Sequence, residues 1–599
     1  MENRFSPAGG AFLIEETDPH RVFVPEAFST EDQLIAKTAE DFLRNEVLPQ
    51  TERIESGDHA LMHALMQQAG ALGLLGADVP EVYGGLGLSQ MASALIAEKL
   101  NFQQSFALTH EAHTVIGTLP LLFFGNHDQK SRYLPRLASG EWIASFALSE
   151  ANSGSDALAL QTRAVLSPDG RHYLLNGVKM WITNTAFADL FTVFAKVDGE
   201  KVTAFLVERS FPGVSFGKEE HKLGMHGTST RRVILENVPV PVENALEVGK
   251  GHYAAFCALN LGRFKLEAGA VGGLKALLTI CAAYAKQRKT FGRPIAEYGL
   301  IQHKLAEMAA RTFALESMVY RLAGCLDVAF AGITPDAADA SAHYHRAAEE
   351  YAIECNIVKV IGSETYSQMA DEAIQIHGGY GYTEEFPVAR AWRDQRLLRI
   401  GEGANEIVRL AIINLLLRRD RAGRLPVRDM GLRATQELAR QEALEMPLYD
   451  EPLEAIRAAA QDTKQLALFL LYQTSERLGA EWMEAQEIAA ALADIINSAY
   501  ALESVALRCE RLRTLAPARY ETALLAAQVA ARDYADEALA AARYAFDSLP
   551  DLEDVVDWRD EPFSGVHALL DRLGRWETGP MQLRRDLAAR VLEKEGYPL

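Results

Sequence analysis

The strongest constraint on this chain is a hydrophobic period that changes twice. Residues 31–140 repeat apolar side chains at helical spacing, broken by Pro-Glu-Val-Tyr-Gly-Gly-Leu-Gly-Leu at 80–88. From about 141 the pattern is that of strands. The runs 142–148 (Trp-Ile-Ala-Ser-Phe-Ala-Leu) and 190–197 (Leu-Phe-Thr-Val-Phe-Ala-Lys-Val) are short, apolar and rich in β-branched and aromatic residues. Ser-Pro-Asp-Gly at 167–170 and Val-Asp-Gly-Glu-Lys at 197–201 read as hairpin turns. The strand pattern ends near Pro-Val-Pro-Val-Glu-Asn at 239–244, and long helical periods return over 250–420. Blocks of helix, strand and helix predict an α+β fold, mainly α, with segregated layers rather than a Rossmann alternation.

At 599 residues the chain exceeds a single core. The reading divides it into an extended segment (1–30), a helical N-terminal domain (31–140), a central β-barrel or sandwich-like domain (141–245), a helical bundle (246–420), a polar linker with Pro426 (421–450) and an additional helical domain (451–599). Within the last, Ala/Leu-rich helices are predicted around 452–477, 481–513 and 517–547.

The net charge of −21 argues against a nucleic-acid partner, which needs a basic face to neutralise phosphate. Cys257, Cys281, Cys325, Cys355 and Cys509 show no metal-ligand spacing. Most sit in apolar helical context, as buried free thiols do, and a reducing cytosol fits them. The N-terminus carries Glu2, Glu15, Glu16 and Asp18 with no apolar run, so neither a signal nor a transit peptide is expected. No membrane span is expected either.

Chemistry concentrates in 375–403. Gln375, Gly378, Gly379 and Gly381 make a Gly-rich turn, a helical stretch with Arg390, Arg393 and Asp394 follows, and Gly401-Glu402-Gly403 ends the run. Glycines let the backbone approach a ligand closely, and a Glu between two of them can reach into a cleft. A solvated surface turn is the plain alternative. Two further signatures are Ala-Leu-Ser-Glu-Ala-Asn-Ser-Gly-Ser-Asp at 147–156 and Tyr-Ala-Lys-Gln-Arg-Lys-Thr-Phe-Gly-Arg-Pro-Ile at 284–295.

In order and spacing these three signatures resemble the acyl-CoA dehydrogenases, over roughly residues 30–420. Gly-Arg-Phe at 262–264, Tyr-Gly-Leu-Ile-Gln-His-Lys-Leu-Ala at 298–306 and the helical tail are most similar to the very-long-chain subfamily. The resemblance implies FAD-dependent α,β-dehydrogenation of fatty acyl-CoA in β-oxidation, with electrons passed to an electron-transferring flavoprotein. Glu402, 27 residues after Gln375, is then the base that takes the α-proton, and its backbone N–H a donor to the thioester oxygen. Some relatives carry the base before the conserved Arg, but here that position is Gly262. Glu267, one turn on, reads as structural.

The same resemblance places Phe146, Leu148, Ser149, Gly154 and Ser155 on one side of the flavin ring, and Trp181 and Thr183 on the other. Arg288, Thr290 and Phe291, with Gln375, Gly378 and Gly379, would reach the pyrophosphate and adenine in a neighbouring subunit, which implies a homodimer. Ser155, Arg263, Gly401, Glu402 and Gly403 fall on the substrate side. Arg263 either orients the neighbouring loop or belongs to a buried ion pair.

Three departures stand out. Gly401 replaces an aromatic residue, Ala404 a Thr and Ala151 a Pro. The first opens a wall of the acyl cleft and the second removes a flavin contact. His110, Glu111 and His113, in the helix at 108–117 that should line the acyl pocket, are polar for a fatty channel and face either it or solvent. Arg-Arg-Asp-Arg-Ala-Gly-Arg at 418–424 reads as a solvated linker, with weak peripheral contact to anionic lipid as the alternative. An acyl-CoA oxidase, or a non-enzymatic assembly or stress protein on the same fold, are the rival readings. The retained Glu402 weighs against a pure scaffold.

Overall fold

The computed structural model describes residues 8–440, 449, 451–549 and 564–599. Residues 1–7 of the expected N-terminal segment, most of 441–450 in the expected linker, and 550–563 lie outside the described residues.

The N-terminal layer contains helices Thr30–Phe42, His59–Ala71, Gln90–Leu100, Gln104–Glu111 and His127–Ser139. Ser29 with Asp32, and Asn126 with Gln129, close reciprocal capping boxes that fix where two of them begin.

The β layer comprises β1 (Ala144–Ala147), β2 (Arg163–Leu166), β3 (His172–Thr183), β4 (Leu190–Val197), β5 (Lys201–Glu208), β6 (Val214–Phe216), β7 (Thr230–Pro241) and β8 (Ala245–Leu246). The order is β6-β7-β3-β2-β4-β5-β8, with β1 added parallel to β4. Both predicted turns close hairpins, β2–β3 and β4–β5. β4 explains how the sheet joins the helices. Its Phe191, Val193, Ala195 and Val197 enter the sheet's own core, while Leu190 and Phe194 enter the helical core. Successive side chains point to opposite faces, so a strand buried on both reads as a continuous apolar run.

The bundle is built on Gly251–Gln287, Gly299–Phe330, Ala352–His377 and Asn405–Arg421. The first, 37 residues long, runs about 55 Å. The tail contains Val427–Arg440, Pro452–Leu478, Gln486–Leu515, Pro517–Ser548, Ser564–Gly574 and Pro580–Lys594. A single apolar cluster reaches from Ala11 through the bundle to Val591, so the tail shares the catalytic core.

Three expectations are corrected. The expected linker holds the helix Val427–Arg440: its buried Val427, Gly431, Ala434 and Leu438 recur every three or four residues among arginines that mask the period. Two helices, Gly251–Gln287 and Gln486–Leu515, are long and apolar enough to cross a membrane. They are packed among other helices, and that packing accounts for their apolar character. The 418–424 run is not a solvated linker: its first four residues close the Asn405–Arg421 helix. Arg418 pairs with Glu349, Arg424 meets Glu350 at 2.5 Å, and buried Arg419 donates to the Gly9, Glu349 and Glu350 carbonyls.

Residues 8–29 wrap this body. The Gly10 amide donates to Glu354 at 2.6 Å, Val22 and Val24 pack on Leu507, and Glu26 meets Arg508 at 2.7 Å.

Candidate active site

Glu402 lies in the turn between the Pro387–Gln395 and Asn405–Arg421 helices. Its φ is +55°, left-handed for a non-glycine residue, and Gly403 follows at +104°. Such backbone persists only where its surroundings fix it. Two cations do so here. Arg263 Nε, from the 251–287 helix, donates to the Glu402 carbonyl at 2.8 Å. Lys359 Nζ, from the 352–377 helix, donates to the Gly403 carbonyl at 2.5 Å. Arg263 also bonds Asn356 at 2.8 Å and Asn260 at 3.2 Å, and Lys359 bonds Asn405. Arg263 therefore orients the loop through its backbone, bonding one carbonyl and two side-chain amides.

The Glu402 carboxyl stands over Gly262. A Cβ there would lie 3.2 Å from Oε2 and 3.3 Å from Ile116. The position where some relatives place their base is thus open space that the Glu402 carboxyl uses. Oε2 is buried without a hydrogen-bond partner. Burial pushes the Glu402 pKa up to about 7 against the pull of Arg263 and Lys359. A carboxylate poised there is matched to proton abstraction near neutral pH.

Glu267 is fully buried with both oxygens unpartnered, and burial holds it well above the usual carboxylate range. It faces Gly362, on a different neighbour from Glu402.

His110, Glu111 and His113 are all interior. His113 Nδ1 accepts from the Ala144 amide at 2.8 Å, so Nε2 carries the proton and donates to the Leu137 carbonyl at 3.1 Å. Burial lowers its pKa to about 3 and it stays neutral. It bolts the helical layer to β1.

The flavin-side residues form two groups. In the first, the Met180 amide bonds the Ser149 carbonyl at 2.9 Å and Ser145 Oγ bonds the Thr183 carbonyl. Phe146, Leu148 and Ser149 thereby lie beside the strand end that carries Trp181 and Thr183, with Gly154 and Ser155 in the loop that follows. In the second, Arg288 packs over Tyr380, 5.5 Å from its ring centre, and Tyr284 bonds the His377 carbonyl at 3.1 Å. These contacts bring Arg288 to the turn that begins at Gly378, while Phe291 stands exposed.

FAD asks for an apolar face for its ring and donors for its pyrophosphate, and these residues fit it. Trp181 is a large aromatic left 55 % exposed, with φ +58°. Nothing would meet a Cβ at Gly154, Gly378 or Gly379, so backbone there is open to a ligand. Arg288 presents an exposed guanidinium beside that turn.

Of the departures, Gly401 has a negative φ, and a Cβ would meet only Leu397, so a side chain would be tolerated. Ala404 is the N-cap of the 405–421 helix and makes no side-chain cap, a bond that Thr could supply. Sequence reasoning missed Lys359, Asn356 and Asn405. A lysine inside the apolar run Ile-Val-Lys-Val-Ile at 357–361 was the available signal, since a buried charge needs partners.

Family models match nearly all of the pre-tail chain: Acyl-CoA dehydrogenase N-terminal domain at 29–141, middle domain at 145–238 and C-terminal domain at 249–417. A further acyl-CoA dehydrogenase C-terminal model matches 462–551 in the tail. A probable acyl-CoA dehydrogenase of Bacillus subtilis (strain 168) is 47% identical, with 84% of each chain covered. The mitochondrial very long-chain specific acyl-CoA dehydrogenase of Rattus norvegicus is 42% identical over 57% of this chain, which spans 51% of that protein. The crystal structure of an acyl-CoA dehydrogenase complexed with FAD from Bacillus anthracis superposes with TM-score 0.94 at 42% identity, covering 99% of this chain and 100% of that one. Fold and site together define a flavin-dependent oxidoreductase of acyl thioesters. The chain belongs to the acyl-CoA dehydrogenase family, and FAD is its cofactor.

Proposed function

We propose that this enzyme converts fatty acyl-CoA to trans-2-enoyl-CoA as the first step of β-oxidation and passes the electrons to an electron-transferring flavoprotein. The observation that carries the reading is the Glu402 carboxyl, half-buried, with Oε2 buried and unpartnered, and poised at about pH 7. Glu402 takes the α-proton. Its own N–H donates to the thioester oxygen as charge grows there, and Ser155 and Gly403 belong to the same substrate face. Arg263 and Lys359 position the loop. When bound, FAD supplies the hydride acceptor. Phe146, Leu148, Ser149, Gly154, Ser155, Trp181 and Thr183 would hold its ring.

The Arg288–Phe291 and Gln375–Gly379 group would complete the cofactor site of a second copy, making a homodimer. Phe291, 93 % exposed, and Tyr382, 89 % exposed, support a covered face there. Gly401 leaves the acyl cleft open beside the base, which favours long chains, as does the similarity to very long-chain specific relatives. A cytoplasmic location is part of the proposal and is supported by five unbridged cysteines.

The test is anaerobic mixing of purified yellow enzyme with an acyl-CoA series, followed by reoxidation with an electron-transferring flavoprotein or with oxygen. Bleaching by long acyl-CoA and reoxidation by the flavoprotein are expected. No bleaching with any acyl-CoA overturns the reading, and fast reoxidation by oxygen alone converts it to an oxidase.

A further inference from the structure

One face of the 251–287 helix leads away from the base. Gly262 on that face abuts Glu402 Oε2, and Gly269, seven residues on, lies on the same face about 10 Å away. A Cβ at Gly269 would lie 2.6 Å from Asn101 Nδ2 and 3.3 Å from Glu111 Oε1. At Gly273 it would lie 2.2 Å from the Tyr366 hydroxyl and 2.8 Å from Asn101 Oδ1. Gln104 Nε2 donates to that hydroxyl. Asn101, Glu111 and Tyr366 therefore converge on two glycines, with Gln104 joined through Tyr366, beside the helix expected to line the acyl pocket.

The cluster is incomplete. Asn101, Gln104 and Glu111 are 5, 4 and 8 % exposed, and each has a buried oxygen without a partner: Asn101 Oδ1, Gln104 Oε1 and Glu111 Oε1. Buried acceptors are normally satisfied by protein, water or ligand. Three in one place call for a hydrogen-bond donor.

We infer that the acyl cleft ends in a hydroxyl-binding cluster formed by Asn101, Gln104, Glu111 and Tyr366, so that the enzyme prefers acyl-CoA thioesters carrying a hydroxyl about 10 Å from the reacting carbons. The inference rests on the acyl-CoA dehydrogenation proposed above. A hydroxyl can donate to a carboxamide oxygen and accept from a protonated carboxyl. Glu111 is protonated at neutral pH, because burial and then the Glu402 charge raise its pKa to about 8. A terminal carboxylate cannot donate to the Asn101 and Gln104 carboxamide oxygens, and an ammonium would find no counter-charge in the neutral Glu111.

The experiment compares kcat/KM of the purified holoenzyme, with an artificial electron acceptor, for hexanoyl- to hexadecanoyl-CoA and for their ω-hydroxy and ω-carboxy counterparts. The ω-hydroxy substrate should exceed the unsubstituted one by roughly tenfold at one chain length and not far from it, because the cluster has a fixed position. The ω-carboxy substrate should be disfavoured at that length. Glu111→Leu and Gln104→Leu should each collapse the ratio. Glu111→Gln keeps hydrogen-bonding capacity and should retain a preference, which covers the case in which leucine variants fold poorly. Turnover of unsubstituted acyl-CoA with no hydroxyl preference at any length assigns the cluster to water and overturns the inference alone. No turnover of any acyl-CoA overturns the proposed reaction and the inference with it.

Discussion

Arg263 and Glu402 are joined through a backbone carbonyl: the guanidinium Nε donates to the Glu402 oxygen at 2.8 Å, and the Glu402 side chain is left free. The cation lowers the carboxyl pKa at a distance without consuming its oxygens. The base is thus positioned by a neighbour that does not compete for the proton it must take. Arg263→Lys keeps the charge but loses the fork that spans Glu402, Asn260 and Asn356. A drop of about 10–100-fold in kcat is expected, since a small misplacement of a reacting group has that effect. Steady-state rates beside flavin content check it, and rates near wild type would refute it.

Glu402→Gln preserves shape and cannot accept the proton. Turnover should fall about 10²–10⁴-fold while FAD and acyl-CoA binding persist. Stopped-flow flavin bleaching measures the chemical step, and near wild-type bleaching would remove Glu402 from its role.

Gly262→Ala places a methyl 3.2 Å from Glu402 Oε2. The carboxyl has to give way by a few tenths of an ångström, and kcat is expected to fall about tenfold with flavin content unchanged. A crystal structure of the variant would show the displaced side chain, and an unmoved carboxyl with full activity would contradict the geometry.

The pH profile follows from Glu402 titrating at about 7. The free-enzyme kcat/KM should rise with pH through that value, because the carboxylate is the active form. The stability effect has the opposite sign. The folded pKa lies above the ordinary value of 4.5, so between 4.5 and about 7 the folded state holds a proton that the unfolded chain has lost. Glu402 therefore costs stability progressively as pH rises across that window. Glu402→Gln should have the higher Tm above pH 7, with the difference closing below pH 4.5, as calorimetry at several pH values can establish.

Arg508 reaches from the tail into the core, meeting Glu26 and Glu316 at 2.7 Å each. Arg508→Ala would leave the buried Glu26 carboxylate without its cation, at a cost of about 3–5 kcal/mol, while Glu316 keeps Lys275 and the Tyr597 hydroxyl. A chain truncated at about residue 430 also exposes the apolar face shared with Leu466, Phe469 and Ile495, and should aggregate. A soluble, dimeric truncation by light scattering would show that the tail shields nothing.

The layer order was legible because period 2 and period 3.6 differ along the chain, and β4 displays its two buried faces as an unbroken apolar run. Glu402 was legible because a motif carries it. Other features depend on what faces what. His113 reads as a polar intruder until the Ala144 amide and Leu137 carbonyl stand on either side of it. Lys359 is one cation in an apolar stretch until the Gly403 carbonyl, 44 residues away, arrives beside it. The Val427–Arg440 helix has a polar composition, and only its few buried positions betray it.

The strap of residues 8–29 has partners at Glu350, Glu354, Arg419, Leu507 and Arg508. A ribosome releases those residues hundreds of positions after the strap has emerged. The strap therefore completes its contacts only once the tail helix that carries Leu507 and Arg508 has been made. A chain stalled or shortened before the tail would leave Val22, Val24 and Glu26 without their partners, an exposed mark of incompleteness.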